Sequence, residues 1–119
     1  MKDFRSLKVW ERAHQLVLAV YQATKTFPRQ EMYGLTNQIQ RAAVSIPTNI
    51  AEGCGKSGDI DFSRYLQIAM GSSSELEYQL LLAHDLNYLS DEVYQSLSNQ
   101  LIEIRKMLNT LILRTRANR

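Results

Sequence analysis

The chain has 119 residues, of which 45% are hydrophobic and 22% charged, and it carries a formal charge of +2. This is enough for one hydrophobic core and a single domain over residues 1–119, and it excludes a disordered chain. It also excludes a membrane protein: the run Leu80-Leu81-Leu82-Ala83 ends at His84, and no apolar run approaches the roughly 20 residues that a spanning helix needs.

No secretory pattern of basic start and apolar stretch is present, and the one cysteine, Cys54, has no internal disulfide partner, so the chain reads as cytoplasmic. The charge is segregated. Residues 1–64 carry nine Lys/Arg and six Asp/Glu. Residues 65–104 carry six acids (Glu75, Glu77, Asp85, Asp91, Glu92 and Glu103) and no Lys or Arg. Residues 105–119 carry five basic residues and no acid. A partner responds to such local fields more than to the net value.

Four stretches have helical periodicity and none has that of a strand. The first, Ser6 to Thr26, puts Val9, Ala13, Leu16, Val17, Val20 and Thr24 on one face and ends at Phe27-Pro28. The second, Tyr33 to Glu52, turns Leu35, Ile39, Ala42, Ala43, Ile46 and Ile50 inward; Pro47 predicts a kink, or a break near Ser45. Gly53, Gly55 and Gly58 mark a turn, with Asp59 expected as the next N-cap.

The third helix, Ile60 to Tyr88, has two seams. Phe62, Leu66, Ala69, Ser73, Leu76, Leu80, Ala83 and Asn87 form one; Ile68, Ser72, Glu75, Gln79, Leu82 and Leu86 form the other, so the helix is expected to be buried on two sides. After Leu89-Ser90-Asp91, with Ser90 as N-cap, the fourth helix turns Tyr94, Leu97, Leu101, Ile104, Leu108 and Leu111 inward. Connections this short make neighbouring helices antiparallel, which predicts an all-α, up-down-up-down four-helix bundle. Leu18, Ile102 and Leu113 stay outside; with Ile68, Leu82 and Leu86 they predict an interface that closes a homo-oligomer.

Chemical motifs fail on their own requirements. Gly55-Lys56-Ser57 has Ile50 where a phosphate-binding loop needs glycine, and a helix rather than a strand precedes it. Glu11-x-x-His14 has no second Glu-x-x-His, because Leu81 stands three positions before His84. Cys54 among glycines reads as a small turn residue. The expectation is therefore no cofactor, no metal and no enzyme. Arg41, Ser45, Thr48, Asn49 and Glu52 face Ser72, Glu75 and Gln79 of the third helix and predict a polar network, within the chain or between chains, with Arg41 as counter-ion to Glu75.

Together, several segments carry a resemblance: Leu7-Lys8-Val9-Trp10 with Ala13, Phe27-Pro28 with Glu31, Tyr33-Gly34-Leu35, Gln38-Ile39 with Arg41, and above all Ser45-Ile46-Pro47-Thr48-Asn49-Ile50-Ala51-Glu52-Gly53. Ala69, Gly71-Ser72, Glu75-Leu76-Glu77 and Gln79-Leu80 follow. The chain resembles the bacterial four-helix-bundle family found as reading frames within intervening sequences of 23S ribosomal RNA genes. That resemblance implies a pentameric barrel. It also implies kinship with accessory proteins of diversity-generating retroelements, with RNA or DNA and a reverse transcriptase as partners. Cys54-Gly55-Lys56-Ser57 and the modest basic balance depart from those accessory proteins.

Topology and charge predict where nucleic acid would be held. Lys2, Arg5, Lys8 and Arg12 at the start, and Arg105, Lys106, Arg114 and Arg116 at the finish, fall at the same end of an up-down-up-down bundle, with Arg5, Lys8 and Arg12 expected on one helical stripe. The expected function is non-catalytic RNA binding through that basic end, and the alternative is a scaffolding oligomer with a protein partner.

Overall fold

Four helices carry the computed structural model, which describes residues 3–117. They are α1 (Lys8–Thr24), α2 (Leu35–Cys54), α3 (Asp59–Asp85) and α4 (Asp91–Ala117), with 3-10 turns at Phe4–Ser6 and Arg29–Glu31 and no strand among the described residues. Lys2, one of the expected basic residues, lies outside the described part. No described helix is long and apolar enough to cross a membrane.

Each helix contributes one apolar stripe to a common core, because its buried positions recur at steps of three and four residues. α1 buries Val9, Ala13, Leu16 and Val20; α2 buries Leu35, Ile39, Ala42, Ala43, Ile46 and Ile50; α3 buries Phe62, Leu66, Ala69, Leu76, Leu80 and Ala83. In α4 the stripe Leu97, Leu101, Ile104 and Leu108 continues through Ile112 and Thr115. The expected Leu111 and Tyr94 are half-buried, as is Val17 of α1. Stepping four and three beyond Leu108 reaches Ile112 and Thr115, which leaves Leu111 on the flank facing α1. α1 packs on α2 and α4, and α3 packs on the same two, so α1 and α3 lie diagonally across the core.

α2 runs unbroken through Pro47, so of the two expected outcomes, a kink at Pro47 or a break near Ser45, the break does not occur. Proline removes the bond to the carbonyl of Ala43 and crowds it, at roughly 3 kcal/mol or more. The neighbouring Ile46 and Ile50 are both fully buried, and each gains about 1.5–3 kcal/mol from burial in the helical register. Side-chain donors also reinforce the same turn: Thr48 Oγ1 donates to Val44 O at 2.7 Å and Asn49 Nδ2 to Ser45 O at 2.8 Å.

The turns are held by specific chemistry. Before α2, Glu31 Oε1 accepts from Leu35 N at 3.2 Å and Glu31 Oε2 from Tyr88 Oη at 3.0 Å, while the Tyr88 ring packs on Phe27 at 5.4 Å. Its hydrogen bond to Glu31 holds the Tyr88 phenol above the ordinary tyrosine range. Before α3, Gly58 takes φ +106°, a conformation that only glycine adopts freely, and is itself the N-cap. Asp59, expected there, is instead the first helical residue, where its charge favours the helix N-terminus. α3 ends at Asp85 and not at Tyr88, because Asn87 takes φ 65° while Asn87 N donates to His84 O and Tyr88 N to Ala83 O. Those two bonds form a Schellman closure.

Ser90 caps α4 as expected: its Oγ accepts from Val93 N at 3.1 Å. Ser90→Ala should therefore lower the unfolding free energy by about 1 kcal/mol. Urea titration followed by circular dichroism checks this, and an unchanged midpoint would show that water caps the helix equally well.

Candidate nucleic-acid interface

Two grooves between α1 and α4 are lined by three of the expected basic side chains, Lys8, Arg12 and Arg114. The first, about 250 Å³, is lined by Leu7, Lys8, Val9, Met107, Thr110, Leu111 and Arg114. The next turn inward is lined by Arg12, Gln15, Asn99, Gln100, Glu103 and Ile104. Lys8 and Arg12 are one helical turn apart on α1 and both exposed, and Arg114 stands opposite Lys8. The start of the chain and its last helix thus supply cations to one surface. Lys106 and Arg116 are also exposed on α4.

Two expected members of the basic set are placed otherwise. Arg5 is not on the α1 stripe, since the helix begins at Lys8 and Arg5 falls in the preceding 3-10 turn. There it pairs with Asp3 at 3.5 Å and lies over the Phe4 ring at 4.5 Å. Phe4 in turn packs on Trp10, whose ring stacks on that of His14 at 5.2 Å and 6°. Arg105 is half-buried and ties α4 to α3, donating to Glu77 Oε1 at 3.0 Å and Ser74 Oγ at 3.2 Å. Its charge is matched within the chain. Sequence spacing could not find this, because Glu77 and Arg105 are 28 positions apart.

The polar set is joined in part. Ser45 and Ser72 Oγ share a hydrogen bond of 2.7 Å between α2 and α3, and Asn49 Nδ2 donates to Ser45 Oγ at 3.0 Å. Arg41 and Glu75 are both exposed and form no ion pair with each other. The reason is helical phase: three residues beyond Ser72, Glu75 is turned about 60° toward solvent, whereas Gln79, seven beyond, returns to within about 20° of Ser72. Gln79 is 7% exposed, and its Oε1 finds no hydrogen-bond partner among the described residues. Glu52 is exposed.

Of the expected interface residues, Leu18, Ile68, Leu86, Ile102 and Leu113 are exposed. Leu82 is half-buried against the core and so is not a free member of that set. Sequence reasoning missed several exposed apolar side chains, among them Tyr33 at 90%, Ile60 and Tyr78. It also missed the groove residues Met107 and Thr110, for which no periodic signal exists.

Glu11 and His14 are exposed on α1. His84 Nε2 lies 2.6 Å from Asp91 Oδ1, and its ring stacks on Tyr94 at 4.4 Å across the α3–α4 turn. Cys54 is buried at the end of α2. Among the described residues no three His, Cys, Asp or Glu side chains come together as a metal site.

The model of the family described as 23S rRNA-intervening sequence protein matches residues 5–110. Among solved structures, a crystal structure of a protein with unknown function from the S23 ribosomal protein family, from Bacteroides thetaiotaomicron VPI-5482, superimposes with a TM-score of 0.81 at 30% identity, covering 87% of this chain and 97% of that one. No curated protein matches the chain significantly.

Proposed function

Since the chain belongs to the 23S rRNA-intervening sequence protein family, whose function is not established, we propose that it is a non-catalytic, homo-oligomeric protein that binds RNA through the basic end of its bundle. The observation that carries this reading is the meeting of Lys8 and Arg12 of α1 with Arg114 of α4 along one pair of grooves. Phosphate backbones follow repeated cations on a surface, and assembly of several copies repeats this one.

In this reading the four helices run up-down-up-down and antiparallel. The pairings along their lengths support it: Thr24 with Gln40, Ser45 with Ser72, Glu77 with Arg105 and His84 with Asp91. Exposed Leu18, Ile68, Leu86, Ile102 and Leu113 support self-association, because a monomer gains nothing by holding so many apolar groups in water. Sedimentation equilibrium is expected to give an oligomer, a pentamer being the form the resemblance implies; a monomer at micromolar concentration would refute it.

The functional test is a salt series of RNA binding for the native chain and for the combined variant Lys8→Glu, Arg12→Glu, Arg114→Glu and Arg116→Glu. If all four touch phosphates of a single strand, the variant should lose about 3 from the slope of log K against log salt. Its helix content should stay unchanged, since all four side chains are exposed. Absence of native binding at low salt, or binding indifferent to the four changes, would remove the basic end as the site.

A further inference from the structure

The groove between Lys8 and Arg114 has a feature that phosphate attraction alone does not use. Its walls are apolar: Leu7, Val9, Met107 and Leu111, with the two cations on opposite rims. Val9 is buried and the other three are half-buried, so the apolar surface is built into the packing of α1 on α4. Thr110 is exposed at the same groove, and its Oγ1 donates to Lys106 O at 3.1 Å. The donor being engaged, the hydroxyl faces any further partner as an acceptor.

We propose that this groove takes an unpaired base of single-stranded RNA, with Lys8 and Arg114 on the phosphates to either side and Thr110 Oγ1 accepting from a 2′-hydroxyl. The proposal rests on the RNA-binding reading and names its substrate. A duplex keeps its base faces stacked inside and offers the protein only its backbone and groove edges, so it would cover the apolar walls with charge and gain nothing from them. A single strand offers a base face for the walls and a phosphate for each rim, which is charge and shape complementarity in one ligand. The volume of about 250 Å³ is below the roughly 300–1,000 Å³ of pockets for drug-sized molecules, which suits one planar base and not a whole cofactor. The polarizable thioether of Met107 is well matched to an aromatic ring.

The test compares oligouridylate, oligothymidylate and a blunt RNA duplex at equal salt, using the full-length native protein, the Thr110→Leu variant and the combined charge-reversal variant. Thr110→Leu adds bulk at the groove and removes the acceptor, and because Thr110 is exposed it leaves the core intact. Oligouridylate is expected to bind about ten-fold more tightly than the duplex, and 4-thiouridine placed in it should photo-cross-link to Met107 or Leu111. Thr110→Leu should weaken oligouridylate several-fold and leave the duplex unchanged. Equal affinity for oligouridylate and duplex, both weakened by charge reversal, overturns the base site while the RNA-binding reading stands. Equal affinity for oligothymidylate and oligouridylate overturns the choice of RNA over DNA. A Thr110→Leu variant that sediments differently but binds RNA as the native chain does would show that a second copy covers the groove, and overturns the proposal. No binding of any strand overturns both the proposal and the reading beneath it.

Discussion

Leu76→Ala is expected to lower the unfolding free energy by about 3 kcal/mol, whereas Leu81→Ala, five residues further along α3, should change it by less than about 0.5 kcal/mol. The substitutions are chemically identical and the environments are not. Leu76 is 0% exposed, in the middle of the stripe that α3 turns into the core; Leu81 is 43% exposed on its outer side. Truncating Leu76 removes three buried carbons and leaves a cavity that helices pinned on two sides cannot close. The cavity adds to the lost transfer energy. Against a typical total of about 5–15 kcal/mol, a loss of this size is visible in urea unfolding at one chain concentration. Comparable losses at both positions would mean that another copy covers Leu81, and would relocate the assembly face to the outside of α3.

Gly53→Ala and Gly71→Ala are expected to move stability in opposite directions. Both glycines lie within helices, where alanine is intrinsically better by about 0.8–1 kcal/mol. A Cβ at Gly71 meets nothing within 4 Å, so the variant should gain most of that amount. A Cβ at Gly53 would stand 2.9 Å from Tyr65 Cβ and 3.1 Å from Phe62 Cδ1. Tyr65 Cβ is fixed to the α3 backbone and cannot swing away, so the helices must separate where α2 hands over to α3. Overpacking of this kind costs about 1–3 kcal/mol, which exceeds the propensity gain, and the net effect should be a loss of up to about 2 kcal/mol. Thermal or urea unfolding of the two variants side by side checks the sign. A Gly53→Ala variant as stable as Gly71→Ala would show that the close approach of the two helices is soft.

The four helices and most of their buried faces were legible in the sequence, because a helix that packs on one core must place apolar residues at steps of three and four. The seam of α3 from Phe62 to Ala83 is an example: every position assigned to it inside the observed helix is buried. The Ser90 cap was legible for a similar reason, since capping depends on residues within one turn of each other. Where local rules compete with packing, they lost. Pro47 did not break α2, because its neighbours are worth more buried in register than the proline costs.

The candidate site was legible only as a charge distribution. That Lys8, Arg12, Lys106, Arg114 and Arg116 are basic and exposed could be read from composition and phase, but their grouping depends on how α1 lies along α4. The same packing withdrew Arg105, which meets Glu77 and Ser74 across α3, and it took Arg5 off the α1 stripe by starting the helix at Lys8. The apolar walls between Lys8 and Arg114 have no local signature at all: Leu7, Val9, Met107 and Leu111 come together from stretches about a hundred residues apart. Periodicity, caps and charge act over a few residues, and so the sequence by itself determined the elements, their inner faces and the sign of each segment. Which side chains share a surface, and which charges are already matched, is a property of contacts between distant segments, and only the tertiary structure decided it.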